Sequence, residues 1–149
     1  MPASATEFDA YKKVNVETAS QGKLIVMLFN GAIQRAEEAK RQIASKRPEG
    51  VHKNLVRAQD IVAELRSSLN MEMGEVARNL DRIYEYAQHL LIKANIRKET
   101  GPVDECIAHL IELRDMWEAS FEKAAKEGES IPTPPKMNPG GSSALNIKG

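Results

Sequence analysis

Three histidines, one cysteine and scattered carboxylates are the residues of this chain with catalytic or metal-binding chemistry to offer. A carboxylate-bridged metal pair inside a helical bundle needs inward glutamates and Glu-x-x-His pairs three residues apart. Here Glu85 and His89, and Glu105 and His109, stand four apart, a spacing that reads as solvated pairs on a helix surface, and His52 is alone. No metal is expected. Cys106 falls at an expected helix start, where the dipole lowers a thiol pKa, but Asp104 and Glu105 beside it oppose a thiolate. It reads as an inert, partly buried cysteine. The chain has no glycine-rich phosphate loop, no G-x-S-x-G and no paired-cysteine spacing, so neither an enzyme nor a cofactor is expected.

Composition narrows the field further. The 149 residues carry 21 lysines and arginines against 21 aspartates and glutamates, so no long-range field steers the chain toward nucleic acid. Short basic runs such as Lys12-Lys13 and Lys40-Arg41 are interleaved with acids and read as solvated faces. One cysteine cannot form an internal disulfide, which fits a reducing compartment and makes cytoplasm the expected location. The N-terminus has no apolar stretch behind a basic start, and the longest apolar run, residues 24–29, is too short for membrane insertion.

The elements that carry these residues are helical. Apolar residues recur three or four apart as Leu24, Ile25, Leu28, Ala32, Ala36, Ala39 and Ile43, after Ser20 as N-cap. A second stripe runs Val51, Leu55, Ala58, Val62, Leu65 and Leu69. The third is Val76, Leu80, Ile83, Ala87, Leu90 and Ala94, and the fourth Val103, Ile107, Leu110, Leu113, Trp117 and Phe121, opened by Pro102. Short breaker-rich connections at residues 45–50, 70–74 and 100–102 force neighbouring helices antiparallel. The expected fold class is all-α, an antiparallel up-down-up-down four-helix bundle over residues 18–127 with helices of roughly 20 to 25 residues. Residues 1–17 are expected to be an extended or short-helical segment, because Tyr11, Val14 and Val16 belong to an alternating apolar set that fits over a groove. Residues 128–149 hold four prolines and four glycines and read as a disordered tail.

Apolar residues beyond the core stripes suggest more oily surface than four helices need. Ala77, Tyr84 and Leu91 sit one row outside the third stripe, widening its face to about 140°. Val26, Phe29 and Ile33 flank the first stripe, and Ile61 lies beside Leu65 in the second. Such rows are covered by the N-terminal segment, by a second copy or by a client, since soluble monomers rarely leave large apolar patches bare.

Several blocks together resemble one family. AYKKVNVETAS followed by GKLIVMLFNGAI, the central RAQDIVAELRSSLNMEMG, EVARNLDRIYEYAQHLLIKANI and the late ELRDMW are similar to the flagellin export chaperone family, FliS. The resemblance runs from about Tyr11 to Ala119 and departs at Gln21, Phe29 and Ala87, where the family favours Pro, Tyr and Met. It implies a cytoplasmic helical bundle that binds the disordered C-terminal segment of flagellin, blocks premature polymerisation and delivers the client to a flagellar type III export gate component. On this reading Ile61, Leu65, Leu69, Tyr84, Ala87 and Leu91 bind the client, and Tyr11, Val14 and Val16 form a lid over the empty groove. Two other readings stay open: a self-associating adaptor, its surplus rows meeting in a homodimer, and a bundle with a metal site.

Overall fold

The described residues form four α-helices, α1 (Pro2–Ala44), α2 (Pro48–Ser67), α3 (Glu75–Arg97) and α4 (Thr100–Glu127), with a 3-10 turn at Met71–Met73. The computed structural model describes residues 2–127, with side chains described over residues 20–126. Helix α1 packs against α2 and α4, and α3 closes the ring against the same two. Cross-helix pairs fix the directions. Arg35 reaches Asn54, Arg66 reaches Asp81, Tyr86 reaches Glu105 and Lys40 reaches Asp104, so each neighbour runs antiparallel. This is the up-down-up-down bundle that the short connections require.

Each connection has its own local cause. After α1 the chain turns at Lys46, whose φ of 56° is left-handed. The N–H of Arg47 donates to Gln42 O at 2.9 Å and that of Lys46 to Ile43 O at 3.1 Å, a paired closure of the helix end. Pro48 then opens α2, where a missing N–H costs nothing. In the next connection the Asn70 side chain accepts from the Glu72 N–H at 3.2 Å, and Gly74 takes φ 71° and ψ −130°, a conformation closed to other residues. Lys98 ends α3 with φ 54°, its N–H donating to Ala94 O at 2.7 Å.

Helix α1 differs from the expectation. It does not begin at Ser20 but runs unbroken from Pro2 for 43 residues, about 64 Å at the usual rise per residue. Between Pro2 and Gly22 the sequence has neither proline nor glycine, and valines at 14 and 16 cost only tenths of a kcal/mol in a helix. Nothing local stops the helix at Ser20, and the N-terminal segment takes the helical one of its two expected forms, continuous with the rest of α1. The side chains of Tyr11, Val14 and Val16 lie outside the described residues, as does the tail at 128–149.

The core divides along the bundle axis. Toward the Lys46 and Lys98 turns the core holds Ala32, Ala36 and Ala39 of α1, Ala58 of α2 and Ala87 and Ala94 of α3, all fully buried. Toward the 3-10 turn α1 contributes Ile25, Leu28 and Phe29, which meet Leu65, Tyr84, Trp117 and Phe121. Ring centroids of Phe29 and Tyr84 are 6.2 Å apart, and those of Trp117 and Phe121 are 5.7 Å apart. The indole Nε1–H of Trp117 donates to the buried Tyr84 hydroxyl at 2.9 Å, which satisfies both polar atoms in the core. Gly22 marks a close approach of α4 to α1: a Cβ there would fall 2.6 Å from Cγ of Phe121.

Candidate functional site

The six residues expected to hold a client are core residues. Ile61, Leu65, Tyr84, Ala87 and Leu91 are at most 1% exposed and Leu69 is 7% exposed. The row Ala77, Tyr84, Leu91 was expected outside the seam, and it faces the interior. Val76 and Ile83, expected inside, are 56% and 38% exposed. Both rows flank the line Leu80, Ala87, Ala94, and α3 is turned so that its α2-facing flank is sealed and its α4-facing flank is left open. Arg66 shows which flank is which. Its Nε and Nη2 hold the two Asp81 oxygens at 2.6 and 3.2 Å, and Nη1 donates to Gln88 at 3.3 Å, fastening α2 to α3 along that side.

Open apolar surface lies instead on the two sides of α4. Between α4 and α1 is a groove of about 450 Å³ lined by Gly22, Val26, Met27, Phe121 and Ala125, with Lys23, Glu118 and Glu122 at its rim. Between α4 and α3 is another, about 560 Å³, lined by Leu80, Ile83, Tyr86, Leu113 and Met116, with Arg82, His109 and Glu112 at its edge. Each has a floor of core side chains and walls of exposed ones. Phe121 and Leu113 belong to the core, whereas Met27 and Met116 stand 51% and 40% exposed. The α1 groove exists because Gly22 has no side chain, so the Phe121 ring lies directly on the α1 backbone. Charged rims over apolar floors suit an amphipathic chain, which needs apolar contact beneath and polar partners at the edge.

Sequence reasoning missed these walls for an identifiable reason. Met27, Tyr86 and Met116 fall outside the three-and-four stripes, on faces otherwise charged. An apolar residue breaking a polar face was the available signal. Tyr86 sits at the junction of the α3–α4 groove with a polar crevice lined by His89, Lys93, Arg97 and Glu105. Its hydroxyl donates to the Glu105 carboxylate, which holds the phenol pKa above its usual value. The His109 ring meets Tyr86 edge-on at 5.6 Å, and His89 stacks beside it at 6.4 Å.

Little in the site is chemically reactive. Cys106 is fully buried, its Sγ 3.6 Å from Ala87 O, and desolvation followed by the charge of Glu105 pushes its thiol up to about 12. Of the two Glu-His pairs, Glu105 lies 3.7 Å from His109, but Glu85 is turned to Arg66 at 3.2 Å instead of His89. Among the described residues no three His, Cys, Asp or Glu side chains converge on a point, and no helix is long and apolar enough to cross a membrane.

The family described as flagellar protein FliS matches residues 4–124. The flagellar secretion chaperone FliS of Bacillus subtilis is 31% identical over 120 residues, covering 80% of this chain and 90% of its own length. Its namesake in Vibrio cholerae is 33% identical over 114 residues, covering 73% and 84%. The one in Escherichia coli is 32% identical over 118 residues, covering 75% and 87%. These relatives are chaperones by name and not enzymes. With the match spanning nearly the whole described bundle, the chain belongs to the FliS family.

Proposed function

We propose that the chain is a cytoplasmic export chaperone that holds the disordered C-terminal segment of flagellin, keeps it from polymerising and presents it to a component of the flagellar export gate. The observation that carries this reading is the pair of apolar grooves flanking α4 in a bundle sealed along its α2–α3 side. A client crossing the outer face of α4 occupies both, with Val26, Met27 and Ala125 against one stretch and Ile83, Tyr86 and Met116 against the next. Coupled folding of a segment this way costs several kcal/mol in ordering, offset by burial of roughly 1,000 to 3,000 Å². The secretion-chaperone names of the relatives support the role.

Ile61, Leu65, Leu69, Tyr84, Ala87 and Leu91 support this surface from beneath rather than touching the client. A lid formed by Tyr11, Val14 and Val16 fits the same reading with one condition. Helix α1 itself supplies Gly22, Val26 and Met27 to the groove, so it must break near Gly22 before its N-terminal part folds back over them.

Light scattering of the pure chain, with and without a synthetic flagellin C-terminal peptide, tests the proposal. The expected result is a one-to-one complex, lost when Val26 and Met116 are both replaced by Asp while circular dichroism stays helical. A chain that doubles its own mass and ignores the peptide is a homodimeric adaptor, and the chaperone reading then falls.

A further inference from the structure

The sulfur atoms of the described chain are sorted by reactivity. Its thiol, Cys106, is buried and held neutral. Its four described thioethers are all exposed: Met27 at 51%, Met71 at 49%, Met73 at 38% and Met116 at 40%. None is used as a core filler, although methionine is well suited to that task. The core is built from Leu, Ile, Val, Ala and aromatic residues instead. Two of the four stand in the grooves, Met27 beside Phe121 and Met116 beside Ile83 and Leu113, one on each side of α4.

We infer that Met27 and Met116 are oxidation sites, and that their conversion to sulfoxide by a peroxide closes both grooves to apolar partners. A lone pair of the thioether sulfur attacks one peroxide oxygen, an S–O bond forms, the O–O bond breaks and water leaves. Sulfur gives up two electrons and the peroxide takes them, so no cofactor enters. The product carries a polar oxygen on a side chain that had been a flexible apolar wall. Under a bound chain that oxygen gives up its water while it lies against Phe121 or Ile83, and the charged donors of the lining, Lys23 in one groove and Arg82 and His109 in the other, stand at the rim, so partner binding costs its desolvation. A thiol-dependent reductase reverses the change, two thiols becoming a disulfide as the oxygen leaves in water. Cys106 takes no part, because its thiolate is suppressed.

This inference rests on the grooves of the proposed function, and its test separates the two. The full chain is treated with hydrogen peroxide, mapped by peptide mass for the oxygen gained at each methionine, and titrated with an environment-sensitive apolar dye and with the flagellin C-terminal peptide. The quantity read is the ratio of treated to untreated affinity for each protein. For the unaltered chain both affinities are expected to fall by about tenfold or more with circular dichroism unchanged. In Met27→Leu with Met116→Leu, treatment should leave the ratio near one. In Met71→Leu with Met73→Leu the ratio should fall as in the unaltered chain. The inference is overturned if Met27 and Met116 resist peroxide that oxidises free methionine, if treated protein binds dye as before, if untreated protein binds no dye, or if the first leucine pair gives no protection. Helix loss in the treated chain also overturns it, since the effect then lies in the fold. Dye binding without peptide binding sinks the flagellin reading alone and leaves the oxidation sites to be judged by the dye.

Discussion

The two halves of the bundle use the same four helices and differ in what they pack between them. In the half near Lys46 and Lys98, Ala32, Ala36, Ala39, Ala58, Ala87 and Ala94 line the interior beside Val51, Leu55, Val103, Ile107 and Leu110. The crevice between α3 and α4 at that end is lined mainly by His89, Lys93, Arg97, Glu99 and Glu105 and is polar. In the half near Met71, the interior holds Phe29, Tyr84, Trp117 and Phe121, and the Phe121 ring lies against the α1 backbone at Gly22. Both apolar grooves belong to this half. Core and surface are joined there, because Phe121 and Leu113 are core side chains that also form the groove floors.

Four changes test that division, beginning with the most damaging. Leu65→Asp combined with Leu91→Asp places two carboxylates among fully buried side chains, at a cost of several kcal/mol each. The helical circular dichroism signal is expected to disappear at room temperature, and a folded double mutant would return these positions to the surface. Next, Ala36→Leu overfills the tight half and should cost about 1 to 3 kcal/mol in urea unfolding. Its counterpart Ala125→Leu, in the open groove, should stay within about 0.5 kcal/mol. Equal losses from the two leucines would erase the contrast between the halves.

Within the aromatic half, Tyr84→Phe strands the Trp117 Nε1–H in the core without its acceptor. The expected loss is about 1 to 3 kcal/mol, measured by the same urea titration. The last effect vanishes at neutral pH. Burial raises the Tyr84 phenol pKa and takes the Cys106 thiol from 9.0 to about 12. Groups that the fold keeps neutral add stability that is complete below their unfolded pKa and disappears as pH rises through the folded one. Melting temperature should therefore hold steady below pH 9 and decline toward about 12. Cys106→Ala should flatten the first part of that decline, leaving the share of Tyr84, and an unchanged slope from pH 9 would mean the thiol ionises freely.

Much of this was legible in the residues. The stripes through Leu28, Leu65, Leu80 and Trp117 locate four helices, and the breakers at Pro48, Gly74 and Pro102 locate their connections. The blocks resembling the family were legible too, and the family match over residues 4–124 agrees with them. The buried face of each helix was not. A helical wheel gives angles between residues but no absolute direction, so the row of Tyr84 and the row of Ile83 were interchangeable on α3 until α2 and α4 were in place. The start of α1 was misplaced for a related reason, since a serine able to cap a helix also sits within one at little cost.

What the sequence alone determined is the set of helices, their order and their antiparallel arrangement, because periodicity and breakers are local properties written every three or four residues. Tertiary structure decided the rotation of each helix about its own axis, and with it that Leu65 is buried and Met116 exposed. That rotation is fixed by contacts between residues far apart in the chain: Arg66 on Asp81, Phe121 on Gly22 and Trp117 on Tyr84.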